Sequence, residues 1–186
     1  MKLEELKEIV AQGESDCVEF RRSTALLHEA MRTVCAMQNG AGGFVLIGVK
    51  DNGEFSGQQV ADSTLREVAQ ELRRFDPVVL PGIETVDLGG GRSVLALRIP
   101  GGGGPFTYDG RAYLRVSSTT RLMPREEHER RMLERMHPTA RWENQHAKDF
   151  NLEDLDHAEI LRTVEEGVRR QRMDDPATRN PWEVLR

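Results

Sequence analysis

Apolar residues first recur at helical spacing. Leu3, Leu6, Ile9 and Val10 form one stripe, and Gly13 ends it. The period then drops to two over Cys17–Arg21. That puts Val18 and Phe20 on one face of a strand and Glu19 and Arg21 on the other. Helical spacing returns over Leu26–Gln38, with Leu27, Met31, Val34, Cys35 and Gln38 along one side. Asn39–Gly43 closes it with glycines that accept left-handed turns. Phe44–Val49 is almost wholly apolar and predicts a central strand covered on both faces. Asp51-Asn52-Gly53 predicts a turn, with a short strand near Glu54–Ser56 beyond it.

Farther on, Leu65, Val68, Ala69 and Leu72 mark a helix that Asp62 or Ser63 can cap and that Asp76-Pro77 closes. Strands are expected near Ile83–Leu88 and Ser93–Ile99, joined by Gly89-Gly90-Gly91. A loop from Pro100 to Pro105 leads to Thr107-Tyr108 and a strand over Ala112–Val116. Pro124 opens a helix through about Met136, with Glu126 and Glu127 near its positive end. After Trp142 the texture changes to a charged helical stretch, Leu152–Met173, and a polar tail with Pro176 and Pro181 as breakers. The order predicts an α+β or α/β fold, a compact mixed-sheet sandwich with flanking helices, over 1–140. A helical extension or connector follows over 141–186.

The chain has 186 residues, enough to bury a core without staples. Its net charge of −5, from 26 Lys+Arg and 31 Asp+Glu, excludes a dense, sequence-blind DNA coat protein. No run approaches the roughly 18 apolar residues of a membrane span. The charged N-terminal helix pattern is not a secretion signal. Cys17 and Cys35 sit in apolar segments without metal spacing, and read as reduced core thiols of a cytoplasmic protein.

Three carboxylates stand out. Glu19 lies in an otherwise apolar strand, Glu14 just past a glycine, and Asp51 after the most apolar strand. Glu14 and Glu19 are five apart, so on one continuous strand they would face opposite ways. They converge only if Glu14 belongs to the turn before the strand, and Asp51 joins them if the two strands lie side by side. Three converging carboxylates would bind Mg²⁺ or Mn²⁺ through oxygen. Such an ion can orient water against a phosphodiester. The plainer alternative makes Glu14 a solvated turn residue, Glu19 a partner of Arg21 and Asp51 a turn former.

Arg21 and Arg22 could hold phosphate near these groups, or Arg21 could merely neutralise Glu19. From 111 to 141, eight arginines (Arg111, Arg115, Arg121, Arg125, Arg130, Arg131, Arg135 and Arg141) stand against four glutamates. Ser117, Ser118, Thr119 and Thr120 add hydroxyls, and Tyr108 and Tyr113 could offer stacking faces. The strip fits a nucleic-acid surface. It equally fits a solvated helix laced by pairs such as Glu127–Arg131 and Arg131–Glu134. The glycine runs precede strands or join hairpins, so no P-loop or dinucleotide fingerprint is present. The five histidines form no HxH or HExxH.

Gly13-Glu14-Ser15, then Val18-Glu19-Phe20-Arg21-Arg22-Ser23, resembles the opening of the Schlafen AlbA-like domain. The likeness continues in Val34–Asn39, Gly42–Gly53, Gly57, Val94–Pro100, Pro105–Tyr108 and Tyr113–Thr120, and spans about 10–135. The family's fold is a small α/β domain. Its bacterial and archaeal members carry DNA-binding or helicase-related labels. In animal Schlafen proteins, paired copies cleave transfer and ribosomal RNA with three carboxylates and a divalent metal. The resemblance implies those roles for Glu14, Glu19 and Asp51. Arg21 replaces the family's usual lysine, and Ser117 its usual glycine. With one copy of the domain, a two-lobed cleft requires a homodimer. Residues 137–186 resemble the connector of longer bacterial relatives, so an N-terminal piece of a larger protein, or a shortened relative of one, is expected.

The expected function is therefore nucleic-acid binding, RNA or DNA, through Arg21, Arg22, Arg115, Arg121, Ser118 and Thr119. Metal-dependent endoribonuclease activity at Glu14, Glu19 and Asp51 on structured RNA such as tRNA is its stronger form. The rivals are a non-catalytic DNA-binding transcriptional regulator and a protein-interaction module that docks a partner through the tail.

Overall fold

The structure, a computed structural model, describes residues 1–102, 104–136, 156–178, 180 and 183. The chain divides into two compact units, Met1–Pro138 and Thr139–Arg186. The first is built on a four-stranded sheet of β1 (Val18–Arg21), β2 (Gly43–Ile47), β4 (Gly82–Gly89) and β5 (Arg92–Ile99), in the order β1-β2-β5-β4. β1 and β2 run parallel, with Glu19 opposite Val45, while β2–β5 and β5–β4 are antiparallel. Two short pairs complete the strands: β3 (Phe75–Asp76) with β6 (Thr107–Tyr108), and β7 (Tyr113–Val116) with β8 (Thr119–Leu122).

Alternation in β1 sorts its side chains as the period predicts. Val18 and Phe20 join one core with Leu6, Leu46, Val49, Val86, Val94 and Ala96. Leu3, Ile9 and Val10 of α1 (Leu3–Ala11) pack against it. On the opposite face, Val45, Ile47, Leu95, Leu97 and Ile99 meet α2 (Leu27–Gln38) and α3 (Asp62–Leu72). β2 therefore feeds both cores, which is why its sequence is apolar without alternation. α2 is buried nearly all round: besides its predicted stripe, Thr33, Ala36 and Met37 are inside.

Three local expectations are corrected. Residues 54–56 form no strand; a lone bridge, Val49 to Phe55, closes the turn. Lys50 N–H donates to Glu54 O at 2.9 Å there and leaves no ladder to extend. α3 starts after Ala61, so neither Asp62 nor Ser63 caps it; Ala61 N–H donates to Thr64 Oγ1 at 3.4 Å. α3 ends at Leu72, and Asp76 lies in β3. Of its apolar residues only Val68 and Leu72 are buried, because a single i, i+4 line touches the core.

α4 (Arg125–Met136) follows Pro124 as expected. In the second unit, α5 (His157–Arg169) is capped by Asp156, whose side chain accepts from Ala158 and Glu159 N–H. Leu152 to Leu155, Trp142, Arg141 and most of the tail after Asn180 lie outside the described residues.

Candidate nucleic-acid interface

The sheet's one parallel pair, β1–β2, carries its carboxyl ends into a cleft of about 420 Å³. Glu14, Glu19, Arg21, Asp51, Arg115, Ser118 and Thr119, all singled out from sequence, line it. Glu29, Arg32, Thr33, Tyr113 and Thr120 complete the wall.

Each wall residue has a local reason for its place. Glu14 sits in the turn after Gly13, where Ser15 N–H bonds to Val18 O at 2.9 Å and folds the segment back. Its Oε1 accepts Phe20 N–H at 3.0 Å and so covers a donor on the outer edge of β1. Glu19 projects from the α2 face of β1 and is about 5 % exposed. Asp51 is exposed in the turn after β2. Glu29, Arg32 and Thr33 share one side of α2 at i, i+3 and i+4. In the β7–β8 hairpin, Arg115 pairs with Thr120, and Thr120 Oγ1 meets Thr33 Oγ1 at 3.0 Å.

Glu19 is held by two guanidinium groups. Arg115 Nη2 lies 2.5 Å from Oε2, and Arg21 Nη2 lies 2.6 Å from Oε1. Burial pushes the Glu19 carboxyl up from its ordinary value, and the charges of Arg115 and Arg21 offset part of that push. Arg115 itself is buried and fully engaged. It also donates to Ser15 O (2.8 Å), Val18 O (3.2 Å) and Thr120 Oγ1 (3.2 Å). It thus ties the β7–β8 hairpin to the start of β1.

Arg32 is the arginine that sequence reading missed. Its Nη2 donates to His28 Nε2 at 2.9 Å. A guanidinium only donates, so His28 carries its proton on Nδ1 and donates to the Tyr108 hydroxyl at 2.7 Å. Tyr108 in turn donates to the Glu71 carboxylate. Burial first, and Glu71 second, push the Tyr108 phenol above its ordinary value. The Nε groups of Arg21 and Arg32 are both buried without an acceptor among the described residues. The spacing of Arg32 from Met31 and Val34, on the polar side of an amphipathic helix, was the available signal.

Other expectations fall elsewhere. Arg121 lies on the opposite face of the hairpin from Arg115, because the register pairs it with Leu114. Arg22 lines a separate hollow. Tyr108 is fully buried and Tyr113 nearly so, which overturns both as free stacking faces. The arginines of α4 are largely spent on their own helix: Arg125 pairs with Glu129, and Arg130 with Glu127 and Glu134. Arg131 pairs with Glu127 rather than Glu134, and its Nη1 donates to Asn39 O at 2.7 Å. Arg141 lies outside the described residues.

The three carboxylates reach one cleft, yet their donor set in this arrangement does not fit a divalent ion. Glu19 gives both oxygens to arginines, and Glu14 gives one to Phe20 N–H. Among the described residues no three His, Cys, Asp or Glu are grouped closely enough to hold a metal.

A family model described as Schlafen, AlbA_2 matches residues 14–124, a span that includes every residue lining the cleft. Among solved structures, the crystal structure of the DIP2311 protein from Corynebacterium diphtheriae is 17% identical with a TM-score of 0.52. The match covers 90% of this chain and 40% of that one, so this chain spans well under half its length. The solution structure of the N-terminal domain of an ATP-dependent DNA helicase RecG-related protein from Nitrosomonas europaea is 21% identical with a TM-score of 0.42. That match covers 66% of this chain and 95% of that one. No curated protein matches. The mixed α+β fold and the ordered motifs agree with the family match, and the chain belongs to the Schlafen AlbA_2 family.

Proposed function

We propose that Met1–Pro138 is a nucleic-acid-binding domain that seats a phosphate backbone in the cleft at the carboxyl ends of β1 and β2. One observation carries this reading: Arg21 and Arg32 both line the cleft, and the Nε of each is buried with no acceptor among the described residues. A buried donor left unmade costs about 1–3 kcal/mol, so an oxyanion that reaches either N–H recovers that cost. Hydroxyls of Ser118, Thr119 and Thr120 on the same wall add neutral donors. The family agrees with it.

The cleft is not uniformly basic. Glu14, Glu19, Glu29 and Asp51 stand against Arg21, Arg32 and Arg115. Tight sequence-blind duplex binding is therefore not expected, and single strands or RNA loops that thread one backbone are the favoured ligands. The competing reading, endoribonuclease activity with Mg²⁺ or Mn²⁺, draws on Glu14, Glu19 and Asp51 lining one cleft. The arginine clamp on Glu19 weighs against it.

One experiment separates them. Total tRNA is incubated with the protein, with Mn²⁺ or with EDTA, and run on native and denaturing gels. The expected result is a salt-sensitive shift with intact RNA, weakened about tenfold or more in Arg32→Ala. Discrete products made only with metal, and lost in Glu19→Gln, would establish cleavage instead. Absence of both a shift and products would remove both.

A further inference from the structure

A second hollow, of about 700 Å³, lies beside the cleft. The two share consecutive residues: Arg21 and Asp51 line the cleft, while Arg22 and Lys50 line the hollow. Consecutive Cα atoms are 3.8 Å apart, so the two sites straddle the same carboxyl ends of β1 and β2. Their electrostatics differ. The hollow is lined by Arg22, Lys50 and Arg92 with Glu54 as its one carboxylate, whereas carboxylates outnumber cations in the cleft.

The cations are available in different degrees. Lys50 Nζ is 2.9 Å from Glu54 Oε2, an exposed pair that costs little to rearrange. Arg92 spends Nη1 on Ser56 O at 2.7 Å, which aims the guanidinium and leaves its other N–H groups. Arg22 is exposed and makes no ion pair among the described residues. A further donor is preset: Gln58 accepts Thr24 N–H through Oε1 at 3.0 Å, so its Nε2 is fixed in direction. That Nε2 is buried with no acceptor among the described residues. Ser23 and Ser56 add hydroxyls. Guanidinium, ammonium, amide and hydroxyl groups on residues that line one hollow suit a phosphate oxyanion.

We infer that the hollow formed by Arg22, Lys50, Gln58 and Arg92 is a second phosphate site. It holds a backbone phosphate of the same polynucleotide whose neighbouring phosphate enters the cleft. The inference rests on the reading of the cleft as a nucleic-acid site. The strand wraps over the carboxyl ends of β1 and β2, and the hollow supplies the long-range attraction that the acidic cleft lacks.

Length dependence tests it. The full chain is titrated with a fluorescein-labelled trinucleotide and a 12-nucleotide single-stranded RNA of related sequence, at several salt concentrations. Arg22→Ala/Arg92→Ala is compared with wild type, and Arg22→Glu serves as a second variant. Both substituted side chains are at the surface, and thermal melts check folding. The expected result is about tenfold weaker binding of the 12-mer, with trinucleotide affinity unchanged. The salt slope falls by about one for each cation removed. Unchanged 12-mer binding in both variants would overturn the second site while leaving the cleft intact. Equal loss for both lengths would also overturn it, because the cations would then act on the cleft alone. Binding of free pyrophosphate or ATP that depends on Arg22, without any length effect on RNA, would assign the hollow to a small phosphate ligand and overturn the polynucleotide reading. If wild type binds neither RNA, the cleft reading itself fails, which no variant result can mimic.

Discussion

Ser117 shows how a single residue departs from what its backbone asks. It sits in the β7–β8 turn with φ of 54°, the left-handed region where an L side chain costs about 1 kcal/mol and glycine costs little. The turn has therefore kept the shape that glycine would give it. Ser117→Gly should raise stability by about 1 kcal/mol, read as a higher urea midpoint with unchanged slope. Cys35 shows the same rule from the side of burial. Burial pushes its thiol up to about 12, and Asn39 and the Phe106 carbonyl surround the sulfur. It is a core residue and not a nucleophile. Asn39, at the start of the glycine-rich segment that closes α2, is a buried clasp. Its side chain bonds Phe106 N–H at 2.7 Å, Phe106 O at 2.9 Å and Tyr113 O at 3.0 Å.

At the scale of elements, the β1–β2 pair decides where the carboxylates go. Pairing begins where Phe44 N–H donates to Cys17 O at 2.7 Å. Gly43 makes that approach possible: with φ of 139°, a Cβ there would lie 2.0 Å from Cys17 O. Gly43→Ala should thus shift the register that places Glu19 opposite Val45. It should lower stability by more than about 1 kcal/mol and weaken RNA binding, checked by melting and gel shift together. The polar side of α2 matters equally. Its apolar residues fix which way the helix rolls, and that roll delivers Glu29, Arg32 and Thr33 to the cleft.

Over the Met1–Pro138 unit, Arg115 links elements that are far apart in sequence. It joins β7, the Ser15 turn and β1 through Glu19. Removing one member of a buried pair leaves a charge without compensation, so Arg115→Ala should cost about 3–5 kcal/mol in urea unfolding. It should weaken binding only through the fold. A variant that bound RNA poorly yet melted normally would make Arg115 a ligand contact instead. Arg32→Ala should behave in the opposite way, with near-normal melting and poor binding.

Much of this protein was already fixed by its residue pattern. Period two placed Glu19 and Arg21 on one face, the unbroken apolar run marked β2 as central, and glycines and prolines punctuated the helices. Ordered motifs from Glu14 to Thr120 carried the family, because each is a local requirement of turn or core. Tertiary structure alone decided the rest. Whether Glu14, Glu19 and Asp51 meet depends on strand pairing and on the turn after Gly13, neither of which periodicity encodes. Which arginines face a ligand depends on what else is within about 3 Å. Arg115 and, on α4, Arg125, Arg130 and Arg131 found carboxylates or carbonyls in the fold, while Arg21, though paired with Glu19, and Arg32 each keep an Nε with no acceptor among the described residues. Spacing along a chain reports direction from an element. It does not report the partner across the gap, and for charged groups the partner sets the role.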